Sequence, residues 1–328
     1  MKLTTKKVLF MEVFLRFLQT CSNRLWLAVF FVFTLAFIKV SGQNDIKKPL
    51  DFNVYDGWKS VAAPSAARNG KLVTYEINPQ DGDGELFIYS VAARKNVWVQ
   101  PRGRKAQIAA DGSFVVFSIA HPVDSLRKLK LKKVKPDKMP KDSLGIFVDG
   151  KVVKYASVKA FKIPAESGRW VAVHFDKSLA AKPDSAQKDK KNKFRSEGSP
   201  LLFLNPTNKD SLRLENVVHF EVAPSGSSAY LIQSVGDTLE QSILLGFNPA
   251  DFSVDTLMKA SGSMQQLVVS KDGARCAFVY SADTVKHRAY NLYYYDAALN
   301  VPLEILPVEN QWYSNGWCAS SNGKNWFS

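Results

Sequence analysis

One short phrase recurs six times along this chain of 328 residues: a small polar turn holding a glycine, followed at once by an alternating or apolar run. The copies occupy 65–75 (SAARNGKLVTY), 109–117 (AADGSFVVF), 166–175 (ESGRWVAVHF), 223–232 (APSGSSAYLI), 270–280 (SKDGARCAFVY) and 320–327 (SSNGKNWF). Their glycines are Gly70, Gly112, Gly168, Gly226, Gly273 and Gly323, spaced 42, 56, 58, 47 and 50 residues apart. Asp-Gly and Asn-Gly favour tight turns because Gly, and often Asn, reaches positive φ cheaply. A period of about 40 to 50 residues is the length of one four-stranded propeller blade. One such sheet cannot cover both of its faces, so the repeat makes sense only if neighbours stack around an axis. The expected fold is therefore all-β: an incomplete β-propeller of about five to six four-stranded blades. No segment after residue 42 carries an apolar stripe at helical period over 12 or more residues, so helix is expected to be nearly absent.

The first residues differ in kind. Lys2, Lys6, Lys7, Arg16 and Arg24 precede 25–38 (LWLAVFFVFTLAFI), an apolar run of 14 residues. That is short against a membrane span of about 20 residues and fits the core of a signal peptide. Val40-Ser41-Gly42 offers small or modest residues for cleavage, so 1–42 reads as a signal peptide cut near Gly42, with 43–328 as the propeller segment. The expected location is the periplasm or another exported site, the signal segment engaging the membrane only during export. A retained N-terminal anchor is the alternative. Cys276 and Cys318 would then be the remaining cysteines, too few for a disulfide scaffold and without CxxC spacing. They could pair across adjacent blades or stay as two free thiols.

The formal charge of +14 is local. Residues 1–42 hold six Lys/Arg against Glu12, which leaves the mature chain near +9. Residues 127–141 carry eight Lys/Arg and one Asp, and 177–195 carry seven Lys/Arg and two Asp, so the rest of the mature chain sits at about −3. These stretches fall inside the two widest glycine intervals and read as insertions at about 123–143 and 177–198 into ordinary blades. The first, containing Leu129-Lys130-Leu131, could form a protruding hairpin or a short helix. No aromatic platform is interleaved with the lysines, so nucleic acid is not an expected partner. Solvated surface is the plain reading, and docking to a partner domain or an anionic surface is the alternative.

Between the glycine turns, strands are expected at 72–77, 85–91 and 97–101, with 78–84 (NPQDGDG) as a turn. Asp149-Gly150 marks a hairpin between 145–147 and 151–155. Further strands are expected at 199–204 and 211–214, at 243–247 and 253–258, and at 289–296 and 302–306. The sixth turn falls so late that the sequence reads as ending inside its last blade.

A search for chemistry is negative. Ser261-Gly262-Ser263-Met264 and Ser225-Gly226-Ser227-Ser228 approach Gly-x-Ser-x-Gly but lack the second glycine and a following helix. His121 precedes a proline at the mouth of the first insertion. His174 and His219 occupy strand positions, where a satisfied or half-exposed ring is the plain explanation, and His287 follows Asp283 in a polar loop. No two histidines have metal-ligand spacing, and 81–85 (DGDGE) resembles a calcium loop in composition only. No catalytic, cofactor-binding or metal residue is nominated, and no cofactor is expected.

Several segments resemble the N-terminal portion of exported bacterial peptidases of the prolyl oligopeptidase (S9) family: 49–60 (PLDFNVYDGWKS), 73–89 with NPQDGDGEL, 135–145 (KPDKMPKDSLG) and 168–173. The resemblance runs from about residue 45 to about 310 and weakens beyond 311. It implies a seven- or eight-bladed propeller fused to a C-terminal α/β-hydrolase domain, with the serine-peptidase triad in that domain. This sequence has no counterpart of the triad. The implied role is a substrate-gating propeller region, non-catalytic by itself, with peptide substrates reaching it through the missing α/β-hydrolase domain. The alternative is a stand-alone periplasmic propeller that binds a protein or a glycan.

Overall fold

The structure, a computed structural model, describes Tyr55 and residues 57–179, 197–235, 240–283 and 288–307. The expected signal segment, Cys318, His287 and the sixth glycine turn lie outside the described residues, as does most of the second basic insertion. Nineteen strands, all paired antiparallel, make up the described fold. The first sheet is β1 (Lys59–Ala66), β2 (Leu72–Pro79), β3 (Glu85–Ser90) and β4 (Lys95–Pro101), in that order. The second is β5 (Gly103–Ile108), β6 (Phe114–Ile119), β7 (Ser143–Val148) and β8 (Lys151–Tyr155).

Next comes a sheet of seven: β9 (Val158–Lys162), β10 (Val171–Phe175), β11 (Ser199–Leu204), β12 (Ser211–Val222), β13 (Ala229–Val235), β14 (Gln241–Asn248) and β15 (Ser253–Ser261). It is two four-stranded units sharing one long strand. The first part of β12 pairs with β11 through Ser211 to Leu214, and the last part pairs with β13 through His219 to Val222; Val217 meets both. Asn216, at φ 58°, breaks the strand between the two halves. The last sheet is β16 (Ser263–Val269), β17 (Arg275–Ser281), β18 (Asn291–Asp296) and β19 (Val301–Leu306). The described chain is thus an incomplete β-propeller of five four-stranded units, called sheets one to five below.

Every described glycine turn joins the first strand of a sheet to the second. Four of the five are closed by the same two backbone bonds, for example Gly112 N–H to the Ala109 carbonyl (2.8 Å) and Ala109 N–H to the Phe114 carbonyl (3.0 Å). Asp149 and Gly150, both at positive φ, form the two-residue hairpin between β7 and β8.

The second strand of each sheet explains why the run after each glycine is so apolar. In sheets two, three and four it is flanked by sheets on both faces, so neither parity of side chain reaches water. On β6, Val115 and Phe117 join Leu86 and Ile88 of sheet one, while Phe114 and Val116 join Val171 and Val173 of sheet three. On β10 and β13 the same alternation sends Ala172 against Ala229 and Leu231, and on β13 and β17 it sends Tyr230 and Ile232 against Cys276 and Phe278. Each such side chain contributes roughly 1.5–3 kcal/mol when fully buried.

The first basic insertion holds the one described α-helix, α1 (Val123–Leu131), none of whose residues is buried. Leu129-Lys130-Leu131 therefore ends a short helix and not a hairpin. Its anchor is the acidic turn of sheet one: Asp83 Oδ1 accepts the Val123 N–H at 2.9 Å, and Arg127 lies 2.6 Å from Asp81 Oδ1. Among the described residues no helix is long and apolar enough to cross a membrane.

Candidate functional site

The topology sorts loops to two ends. The glycine turns and the connections from third to fourth strands share one end. The connections from second to third strands, which hold both basic insertions, share the other. At two interfaces first strands lie beside one another, β1 with β5 and β12 with β16, and line the inner side there.

At the turn end, neighbouring sheets are tied by polar side chains that the turns themselves supply. Asn69 Nδ2 donates to the Asp111 carbonyl, and Arg169 lies 2.8 Å from Asp111 Oδ2. Partial burial works against the Asp111 charge, but hydrogen bonds from Ser113 and the Arg169 guanidinium hold its carboxyl below the usual range. Ser167 Oγ donates to the Ser225 carbonyl, and Ser225 and Ser227 hydroxyls donate to the Asp272 carbonyl at 3.1 and 2.6 Å. The 225–228 serines that approach a nucleophile motif are therefore engaged in holding sheet four to sheet five.

Ser261-Gly262-Ser263 is likewise a crossover between sheets. Gly262 N–H donates to the Glu240 carbonyl at 2.8 Å, and its own carbonyl accepts the Ser242 hydroxyl at 2.8 Å. Glu240 in turn lies 2.7 Å from Arg288, and both side chains are almost fully buried (2 % and 5 % exposed).

A polar cluster sits on the inner strands of sheets three and four. Lys162 lies 2.6 Å from Glu221 Oε1, His219 Nε2 lies 3.6 Å from the same oxygen, and Lys162 stands over the Phe220 ring. Behind it, His174 Nε2 is 2.7 Å from Ser199 Oγ and 3.1 Å from the Val217 carbonyl, with all three groups buried. Burial, then the positive charge of Lys159, pushes the His174 pKa down to about 4; burial also lowers that of His219. Burial keeps His174 neutral near pH 7, and its Nε2 facing both the Ser199 hydroxyl and the Val217 carbonyl ties the bulged strands β10, β11 and β12 together.

The other histidine with a described position, His121, contacts the Lys141 carbonyl through Nε2 at 3.0 Å and closes the base of the first insertion. Cys276 is a free thiol inside the interface of sheets four and five, with its pKa pushed up to about 12 by burial. Among the described residues no three of His, Cys, Asp and Glu come together as metal ligands. Sequence reasoning placed His174 on a strand but missed its contact with Ser199, because residues 25 apart in sequence meet only through pairing of β10 with β11. A cleft of about 620 Å³ opens between sheets two and three, floored by Ile146, Val153 and Leu204 with Lys151 and Lys209 among its walls.

No protein-family profile and no curated protein sequence matches the chain. Solved structures similar to it include the β-propeller domain of the Trilobed protease from Pyrococcus furiosus (12 % identity, TM-score 0.37, covering 73 % of this chain and 69 % of that one). Prolyl endopeptidases are similar at 12 % identity and TM-score 0.34, covering 75 % of this chain and 42 % of that one. A eukaryotic initiation factor is similar at 9 % identity and TM-score 0.43, covering 75 % and 55 %. The chain thus spans less than half the length of the prolyl endopeptidase and about half that of the initiation factor.

Proposed function

We propose that this chain is the substrate-gating propeller region of an exported serine peptidase of the prolyl oligopeptidase type, and that it is non-catalytic by itself. The observation that carries this reading is the state of the two terminal sheets. Of the twelve exposed large hydrophobics among the described residues, Tyr55, Trp58, Val61, Val91 and Val99 belong to sheet one or its approach, and Val268, Leu299, Val301, Leu303 and Ile305 belong to sheet five. Such exposure at both ends of a stack suits a piece of a larger assembly better than a finished binding module. The inner wall suits a steric role, because first strands ringing an axis admit an extended peptide and exclude a folded domain. Lys162, His219 and Glu221 on that wall supply both signs of charge for a peptide terminus.

The sequence resemblance to S9 peptidases supplies the peptidase class. One observation favours the alternative of a stand-alone binder: the cleft between sheets two and three has the size of a small-ligand site. Reading the coding DNA past codon 328 and assaying the intact product separates the two. The gating reading expects a downstream Gly-x-Ser-x-Gly domain, cleavage of short proline-containing peptides and no cleavage of the same sequence in a folded loop. A stop codon after Ser328, with a tight complex between the purified chain and a folded protein or glycan, would overturn it.

A further inference from the structure

One position of the repeat decides whether the gap between two sheets is filled. It lies on the third strand, paired with the third residue after the turn glycine. Phe147 holds it opposite Val115 in sheet two, Phe247 opposite Ala229 in sheet four and Tyr295 opposite Cys276 in sheet five. Each of these rings meets a ring of the preceding sheet. Phe147 meets Trp98 at 6.1 Å between centroids, Phe247 meets Phe203 at 3.9 Å, and Tyr295 meets Tyr230 at 5.9 Å. In sheet three the position falls to Leu204, opposite Val171. A leucine supplies no ring, and the cleft of about 620 Å³ opens there, with Leu204 and Ile146 in its lining. Tyr155 lines it too, its ring 6.3 Å from Phe175 at the far end of β10.

The lining adds charge to this apolar floor, on which Val153 is 49 % exposed. Lys151 comes from β8 and Lys209 from the turn before β12, one from each sheet, and Asp149 is the one carboxylate of the lining. Neither lysine has an ion-pair partner among the described residues. The cleft therefore pairs a slot of aliphatic side chains with a net positive charge. Between sheets four and five, where Tyr230 and Tyr295 supply their own rings, the corresponding cleft is smaller, about 380 Å³, and its charged lining residues are Asp255 and Asp272. Positive charge thus belongs to the one site and not to the repeat.

We propose that the cleft between sheets two and three binds a small aromatic carboxylate. The ligand's ring takes the place that Phe147, Phe247 and Tyr295 fill at the other interfaces, over Leu204, Ile146 and Val153. Its carboxylate reaches Lys151 and Lys209. Burial of the ring supplies the affinity and the lysines fix the orientation and the sign of charge accepted. An apolar pocket of this size with a few convergent polar groups is the ordinary form of a small-molecule site. The inference does not depend on the peptidase reading, since the third and fourth strands form this site and the first strands take no part in it.

The test is isothermal titration calorimetry of the full chain with 2-naphthylacetate, beside 2-naphthylethanol and 2-naphthylethylamine as neutral and cationic carriers of the same ring. The carboxylate is expected to saturate with a Kd on the order of 1 mM or tighter, the alcohol to bind more weakly and the amine most weakly. Leu204→Phe supplies the missing ring and is expected to weaken the carboxylate about tenfold, with no fall in melting temperature. Should that variant fold poorly, Lys151→Met with Lys209→Met, both exposed, is expected to weaken the carboxylate about fivefold and to leave the alcohol unchanged. The proposal is overturned by the absence of saturation with 2-naphthylacetate, by equal affinity for the amine, or by an affinity unchanged in either folded variant.

Discussion

Gly226 shows why the repeat retains glycine. It holds φ at +76°, and a Cβ there would run into the backbone of Ser167 in the neighbouring turn. Gly150 has almost the same φ, +77°, with open space around it. Gly150→Ala is therefore expected to cost only the left-handed penalty of about 1–2 kcal/mol. Gly226→Ala adds a forced shift between sheets and is expected to exceed about 3 kcal/mol. Urea unfolding of the two variants measures the difference. His174 makes a second prediction at this scale. Its pKa is about 4 when folded against 6.5 for the free side chain, because burial and then Lys159 disfavour the charge. The unfolded chain thus binds the extra proton first. This contribution is complete above pH 6.5 and is lost as pH falls from 6.5 towards 4, by up to about 3 kcal/mol. His219 is shifted in the same direction. His174→Gln is expected to flatten part of the fall in urea midpoint between pH 7 and pH 4, leaving the part due to His219.

Elements in this fold are held by what crosses between them. The carboxylate of Glu240, ahead of β14, and the guanidinium of Arg288, ahead of β18, meet at 2.7 Å with almost no exposure. Removing one partner strands a buried charge, so Arg288→Met is expected to destabilise by about 3–5 kcal/mol. The double variant Glu240→Gln with Arg288→Met is expected to recover much of that loss in a double-mutant cycle. The helix α1 uses a different device. The DGDGE turn that resembles a calcium loop in composition spends Asp83 on the helix N-terminus and Asp81 on Arg127. That pairing was not readable in the sequence, since the residues lie 40 and 46 positions apart. The hairpin at Asp149-Gly150 was readable, because the turn residues and both strands are local.

For the whole molecule, the outermost strand β19 exposes Val301, Leu303 and Ile305. An apolar edge strand invites pairing with other chains. Val301→Lys with Leu303→Lys is expected to lower light scattering at high concentration while leaving the melting temperature nearly unchanged. The glycine repeat by itself determined the all-β class, the blade length and the position of every described turn between a first and a second strand. Turn chemistry is local and a strand buried on both faces must be apolar, so neither depends on knowing the partner. Only the tertiary structure decided that β12 serves two sheets, that the serines beside Gly226 bind carbonyls of the next turn, and that His174 meets Ser199. Each of those contacts joins segments whose approach is set by stacking sheets around an axis, and no stretch of sequence contains that geometry.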